Sequence, residues 1–311
     1  MPSEETDVAV PAVRRHELQL TPSGSLRHLL GTSHKIKLGE GVKVLGAVMY
    51  LAPHKGAGPT VCPYATPGCS SQCITTTGRM VYNTHRRARV AKTLLFRSFR
   101  ADFMAQLRGE VSFHVVKAAA QGMTPTIRLN GTSDLAFWRW EQEWRDPAVQ
   151  GLRMVEYTKR PATSQMLAAI DRGWSFTFSW SESAAALARS LTWAQHGVNT
   201  AVVVAGSLGS KRSVDKAVAA ALVQRGSLMG RGTLDGDKHD ARFLDPQIGG
   251  WVVLKAKGDA HNDRTGFVVR FDEDLLLGTD LPADQCLWHG DEPMPVPPTP
   301  RSPSGAAKEM T

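Results

Sequence analysis

The chain reads as an α/β protein built on a (β/α) barrel or partial barrel, and three observations lead there. Short apolar runs alternate with helix-periodic segments between residues 42 and 254, the pattern that lays strands side by side in a parallel sheet. Each strand–helix–strand connection should be right-handed, and roughly six such units favour curling toward closure. Polar and cysteine-bearing segments fall directly after the apolar runs, where ligands gather in such folds. An open doubly wound sheet is the alternative.

Residues 1–25 are polar, lack clear periodicity and are read as a mobile arm ahead of one folded domain, residues 26–290. Residues 42–51, Val-Lys-Val-Leu-Gly-Ala-Val-Met-Tyr-Leu, form the first strand, and a cysteine loop over residues 60–76 follows it. Residues 85–107 are helical because Val90, Leu94, Leu95, Phe99, Phe103 and Leu107 fall on one side. More helix is expected at 111–121, before the break at Gly122. Further strands are expected at 126–129, 153–157, 174–179, 200–205 and 251–254, with helices at 137–144, 162–169, 184–195 and 214–224. Residues 291–311 are rich in Pro and Ser, the composition of a disordered tail.

The 311 residues suffice for one barrel-sized domain. With 37 Lys+Arg against 29 Asp+Glu the formal charge is +8, which draws anions modestly. Nucleic acid stays open as a partner but is less favoured than a small polar or anionic ligand. No apolar run is long enough to cross a membrane as a helix, and the charged start lacks a signal-peptide core. Four cysteines are too few for a disulfide scaffold. A cytosolic, reducing compartment is expected, where clustered thiols act as metal ligands. No Gly-x-Ser-x-Gly elbow, His-Glu-x-x-His helix or P-loop points to hydrolysis.

Cys62, Cys69 and Cys73 stand close together, and the other cysteine is Cys286. Three thiolates on a Gly/Pro-containing loop can hold three corners of a metal centre and leave a fourth open. Their spacing, C-x6-C-x3-C, is not the paired-knuckle spacing of structural zinc. It suits a four-iron, four-sulfide (4Fe-4S) cluster with one iron free for another ligand. Zinc, with His54 or His85 completing the set, and unmetallated thiols are the other readings. Cys286 would reach the loop only if the C-terminal segment folded back. Asp235, Asp237, His239 and Asp240 suggest a metal, but they lack a calcium-loop pattern and are read as a charged surface loop.

At the expected strand ends the candidate catalytic residues are Arg128, Asp134, Glu156, Lys159 and Lys255. Asn130, Ser133, Tyr157 and Ser179 are the candidates for binding a cofactor. Recurring polar groups on one rim would converge on one cavity. The bland readings are a helix cap for Asp134, a solvated turn for Lys159 and Arg160, and caps for the serines. The basic stretch from His85 to Arg100 could touch phosphates, but is read first as the wet side of an amphipathic helix. Trp138, Trp140 and Trp144 are read as core.

The segments Lys37–Val42, Thr60–Cys69, Arg128–Asp134 and Val155–Lys159, in this order, resemble the phage "gene product eighty-eight" family of actinobacterial viruses. The matching positions are Cys62, Cys69, Cys73, Arg128, Asp134, Tyr157, Thr158 and Lys159; Val61, between Thr60 and Cys62, departs from the Thr-Cys-Pro start of that family's loop. The resemblance spans roughly residues 35–185 and implies a phage origin, hence the host cytosol, and a metal-binding loop. A looser similarity is to radical S-adenosylmethionine enzymes, whose cluster loop follows the first strand of a TIM-like partial barrel. There the spacing is C-x3-C-x2-C, whereas Thr76 stands where the third cysteine would fall, and no Gly-Gly-Glu follows the second strand. These departures spare cluster binding and argue against S-adenosylmethionine as a cofactor. The expectation is an iron–sulfur protein, with catalysis left open; the alternative is a zinc-stabilised nucleic-acid-binding or host-takeover protein.

Overall fold

The computed structural model describes residues 26–278 and 283–288. The expected arm and tail, and the side chain of Cys286, lie outside the described residues. Apolar runs become strands buried on both faces, as a parallel sheet demands. After the short antiparallel edge strand β1 (Leu30–Gly31), these are β2 (Val44–Met49), β3 (Thr124–Arg128), β4 (Arg153–Thr158), β5 (Trp174–Ser179) and β6 (Thr200–Ala205). The short β7 (Ser227–Leu228) and β8 (Arg231–Asp235) make a hairpin, and β9 (Trp251–Lys255), β10 (Val268–Phe271) and β11 (Leu287–Trp288) complete the set. Pairing runs β1-β2-β3-β4-β5-β6-β9-β8-β7 and is parallel from β2 to β8.

The helices are α1 (His34–Lys37), α2 (Pro67–Ser71), α3 (Asn83–Ser98), α4 (Arg100–Ala120), α5 (Glu141–Trp144), α6 (Ser164–Ile170), α7 (Ala186–Gln195), α8 (Arg212–Arg225) and α9 (Glu273–Gly278). The expected helix over 85–107 breaks instead at Phe99, whose φ of −139° and ψ of 55° are not helical. The following helix then runs unbroken to Ala120, because Phe103, Met104, Leu107, Val111, His114 and Ala118 bury one continuous stripe. The expected helix over 137–144 divides into a 3-10 turn, Phe137–Arg139, and α5.

The α/β class with a parallel sheet stands as expected, but a closed barrel does not form among the described residues. The pairing path ends at β1 and β7, and no ladder joins those ends. Within that path the sheet also divides at β6. A strand has two hydrogen-bonding edges, and β9 takes one of them from Thr200 to Val204. The other edge is divided: β5 pairs at Thr200 and Ala201, then β10 takes over at Val203, Val204 and Ala205. The sheet therefore forks at the carboxyl end of β5. β10 is only four residues long with Arg270 inside it, and gives little pattern from which to read a strand.

Two main cores straddle the fork. The first, against β2–β5, holds Phe103, Phe137, Trp144, Trp174, Phe176, Phe178 and Trp193. Trp174 and Phe176 stack with an interplanar angle of 11°. The second packs Val202, Val204, Val218, Leu222, Trp251, Val253, Val269 and Phe271. Each such side chain contributes about 1.5–3 kcal/mol on burial, so the cores hold the strand ends rigid beneath the loops.

Candidate functional site

The cysteine loop leaves β2 and is set by its own polar residues. His54 takes a left-handed backbone, φ 50°, which turns its N–H onto Cys62 Sγ at 3.4 Å. Thr60 Oγ1 accepts from Cys62 N at 3.0 Å, and Cys62 Sγ donates to Thr132 O at 3.6 Å. Thr66 caps α2 by accepting from Cys69 N at 3.3 Å, with Pro67 at the first helical position. Arg97 donates to the carbonyls of Pro59 and Thr60. The loop is thus a folded element joined to β3 and α3.

Glu182, just past β5, fastens it across the fork. One carboxylate oxygen accepts from Thr66 Oγ1 at 2.7 Å and the other from Gly68 N at 2.6 Å. Gly68 has no room for a side chain: a Cβ there would lie 2.2 Å from Thr265 Oγ1 and 2.8 Å from Phe267 Cβ. The loop is therefore wedged between the end of β5 and the segment that enters β10, at the place where the sheet divides. Such splits are where open α/β sheets form ligand crevices.

Cys62 is half-buried, and its thiol is pushed up to about 12. Burial is the main cause; the His54 N–H opposes it, and the negative forms of Cys69 and Cys73, close enough to be felt, add to it. Among the described residues no three of His, Cys, Asp and Glu are drawn together tightly enough to hold a metal ion. The donor chemistry of three thiols from one loop nevertheless suits a thiophilic centre.

The rim residues separate by strand parity, since neighbours on a strand face opposite ways. Glu156 and Thr158 point to the helix-covered face. Glu156 is fully buried and accepts from Leu129 N at 3.0 Å and from Asn130 N. Burial raises its carboxyl to about 8 against the pull of Arg128 and these N–H groups. Thr158 Oγ1 donates to Asp134 at 2.9 Å, and Asp134 also takes Lys159 N and faces Arg160 at 3.5 Å. Burial raises the Asp134 carboxyl. The side chain of Asp134 binds β4 rather than capping a helix.

Tyr157 belongs to the other face, where the Arg128 guanidinium lies 4.4 Å from its ring centre. Both reach Asp240, Arg128 Nη1 at 3.2 Å and Tyr157 OH at 3.3 Å, and Lys35 joins at 3.1 Å. Asp240 and His239 are buried, so the surface-loop reading of residues 235–240 is wrong for its second half. Lys159 is buried and donates to Ser179 Oγ at 2.8 Å, with its ammonium 5.5 Å from the Phe267 ring. It is not the solvated turn of the bland reading. Asn130 and Ser133 are spent locally: Asn130 Oδ1 accepts from Ser133 Oγ and Leu135 N, and its amide donates to Leu135 O. Lys255 stands apart; its N–H meets Asp237, and no bond ties its side chain to the other candidates.

Beside the loop a cationic and aromatic rim gathers. Arg160 and Arg189 lie 5.0 and 5.5 Å from the Tyr64 ring, and Arg189 also donates to Lys159 O. Tyr64 and Arg189 are not among the residues expected at the site, whereas Glu182 falls at the strand end after β5, where ligand-binding groups are expected. Asp240 reads from sequence only as part of a charged surface loop, because its partners Lys35, Arg128 and Tyr157 are over 80 residues away.

A family model described as "Gene product 88" matches residues 25–270. No curated protein and no solved structure matches the chain.

Proposed function

Because the chain belongs to the phage gene product 88 family, we propose that it is a phage iron–sulfur protein whose Cys62, Cys69 and Cys73 bind a 4Fe-4S cluster. The observation that carries this reading is the anchorage of the cysteine loop at the sheet's fork by Glu182. Glu182 holds the N-terminal end of α2, and the loop keeps its three thiols on one short segment; Cys62, Cys69 and Cys73 would hold the cluster there, beside the rim of Lys159, Arg160 and Arg189. An open iron supplies Lewis-acid or ligand-binding chemistry. The chain's own residues do the rest: the cations bind and orient a small anionic or polar ligand, and Phe267 and Tyr64 limit water at the site. Binding displaces the proton that burial keeps on Cys62, so loading should release protons and weaken as pH falls. The finer fold reading that belongs with this function is a partial barrel with the cluster loop at its mouth.

Anaerobic purification with iron, sulfide and zinc analysis tests the reading. The expected result is a brown protein with about four irons and four sulfides per chain. Cys69→Ser should lose most of that colour and iron, and a fully loaded Cys69→Ser protein would sink the assignment. A colourless protein with stoichiometric zinc would replace it by the zinc-stabilised alternative.

A further inference from the structure

The positive charge of this chain is concentrated in one segment. Residues 41–101 carry nine Lys and Arg and no Asp or Glu, while the other 250 residues carry 28 Lys and Arg against 29 Asp and Glu. The entire excess of +8 therefore sits between Lys43, just before β2, and Arg100, the first residue of α4.

Part of it is used inside the fold. Arg89 is buried and donates to Met80 O at 3.1 Å, Lys92 donates to Leu29 O at 2.7 Å, and Arg100 pairs with Glu143 at 2.9 Å. Arg97 holds the carbonyls of Pro59 and Thr60. Arg79, Arg86 and Arg87 differ: all three are exposed, and none pairs with a carboxylate among the described residues. They lie around the start of α3, which has no acidic residue in its first turn and no side-chain cap. Its free N–H groups add positive potential to the same surface.

An ordinary solvated helix mixes charges of both signs. This one has a single sign and an exposed ring beside it: Tyr82 is 57% exposed, and its ring centre lies 6.4 Å from that of His85, tilted by 34°. A membrane-surface helix would need an apolar face to insert, whereas residues 83–87 are Asn, Thr, His, Arg and Arg, all exposed. Guanidinium groups flanking an open aromatic ring are the pairing that grips a nucleic-acid strand, cations on phosphates and the ring under a base.

We propose that Arg79, Tyr82, His85, Arg86 and Arg87 form a binding surface for single-stranded nucleic acid next to the cysteine loop. The three arginines neutralise backbone phosphates and Tyr82 stacks on a base, so affinity depends steeply on salt and little on sequence.

The test is fluorescence anisotropy of a labelled oligothymidylate on the full chain between 50 and 200 mM salt. Micromolar binding is expected, with a negative slope of log affinity against log salt. The triple variant Arg79→Gln/Arg86→Gln/Arg87→Gln should bind at least tenfold more weakly, its slope shallower by about 2, since each phosphate contact on a single strand contributes about 0.7. Tyr82→Ala should lose about tenfold with its slope unchanged. Lys117→Gln, an exposed cation on α4, should change neither. All these side chains are on the surface, so the variants should keep wild-type iron and sulfide, which separates this result from the fate of the cluster. Undiminished binding by the triple variant would overturn the proposal. So would equal binding of phosphatidylserine vesicles or polyglutamate.

Discussion

Glu156 shows how one buried residue gives the protein a pH dependence. Its carboxylate has no cation in direct contact, only the N–H groups of Leu129 and Asn130, and burial holds the folded-state value near 8. A raised carboxyl favours the folded state below the unfolded value, about 4.3. That contribution is lost as pH rises through the folded value. The wild type should therefore lose stability between roughly pH 4.5 and pH 8 relative to Glu156→Gln, which cannot titrate. Denaturant midpoints at pH 5, 6.5 and 8 check this; a constant difference between the two proteins would show that Glu156 does not titrate in that window. A proton-accepting role for Glu156 in chemistry is set back by its position, since it faces the packed helices and not the fork.

The cysteine loop and α2 act as one element because Glu182 satisfies two donors that would otherwise be unpaired. Glu182→Ala leaves the Gly68 N–H without its acceptor in a half-buried site, a cost of about 1–3 kcal/mol. The expected outcome is a lower melting temperature together with faster loss of iron to a chelator. Unchanged chelation kinetics would mean that the loop is held by Thr60 and Arg97 alone. The same element explains what the cysteine spacing did not reveal. The pattern of Cys62, Cys69 and Cys73 was legible as ligand chemistry, but the clamp comes from Glu182, 113 residues beyond Cys69.

At the scale of the molecule the seam between β5 and β6, where the two cores meet, has two register pairs, as few as join β3 to β4. Asp240 helps to mend it, because the segment after β8 crosses to β3 and β4 and binds Arg128, Tyr157 and Lys35. Although burial opposes ionisation, Lys35 and Arg128 hold the Asp240 carboxyl well below its usual range. A depressed carboxyl stabilises the fold above its unfolded value and loses that effect as pH falls. Asp240→Asn should cost about 3 kcal/mol at pH 7, the low end for breaking a buried pair because Lys35 and Arg128 are partly exposed. In a chain of this size that lowers the melting temperature by roughly 6–12 °C. The gap should narrow below about pH 4; a gap constant with pH would refute the ion-pair account.

Local pattern settled what local physics controls. Apolar runs marked β2–β6 and β9, the spacing of Val90, Leu94, Leu95, Phe103 and Leu107 marked helix, and Cys62, Cys69 and Cys73 marked a thiol loop after a strand. The helix boundary at Phe99, the short β10 and the open sheet were decided by the tertiary structure. Which strand takes the second edge of β6 depends on competition between β5 and β10, and no window of sequence contains both. The same holds for the site. Residue types at strand ends name candidates, but strand parity and packing send Glu156 to one face and Tyr157 to the other. Long-range pairing alone delivers Glu182 to Gly68 and Asp240 to Arg128, because a buried charge takes its partner from whatever the fold brings near, at any distance along the chain.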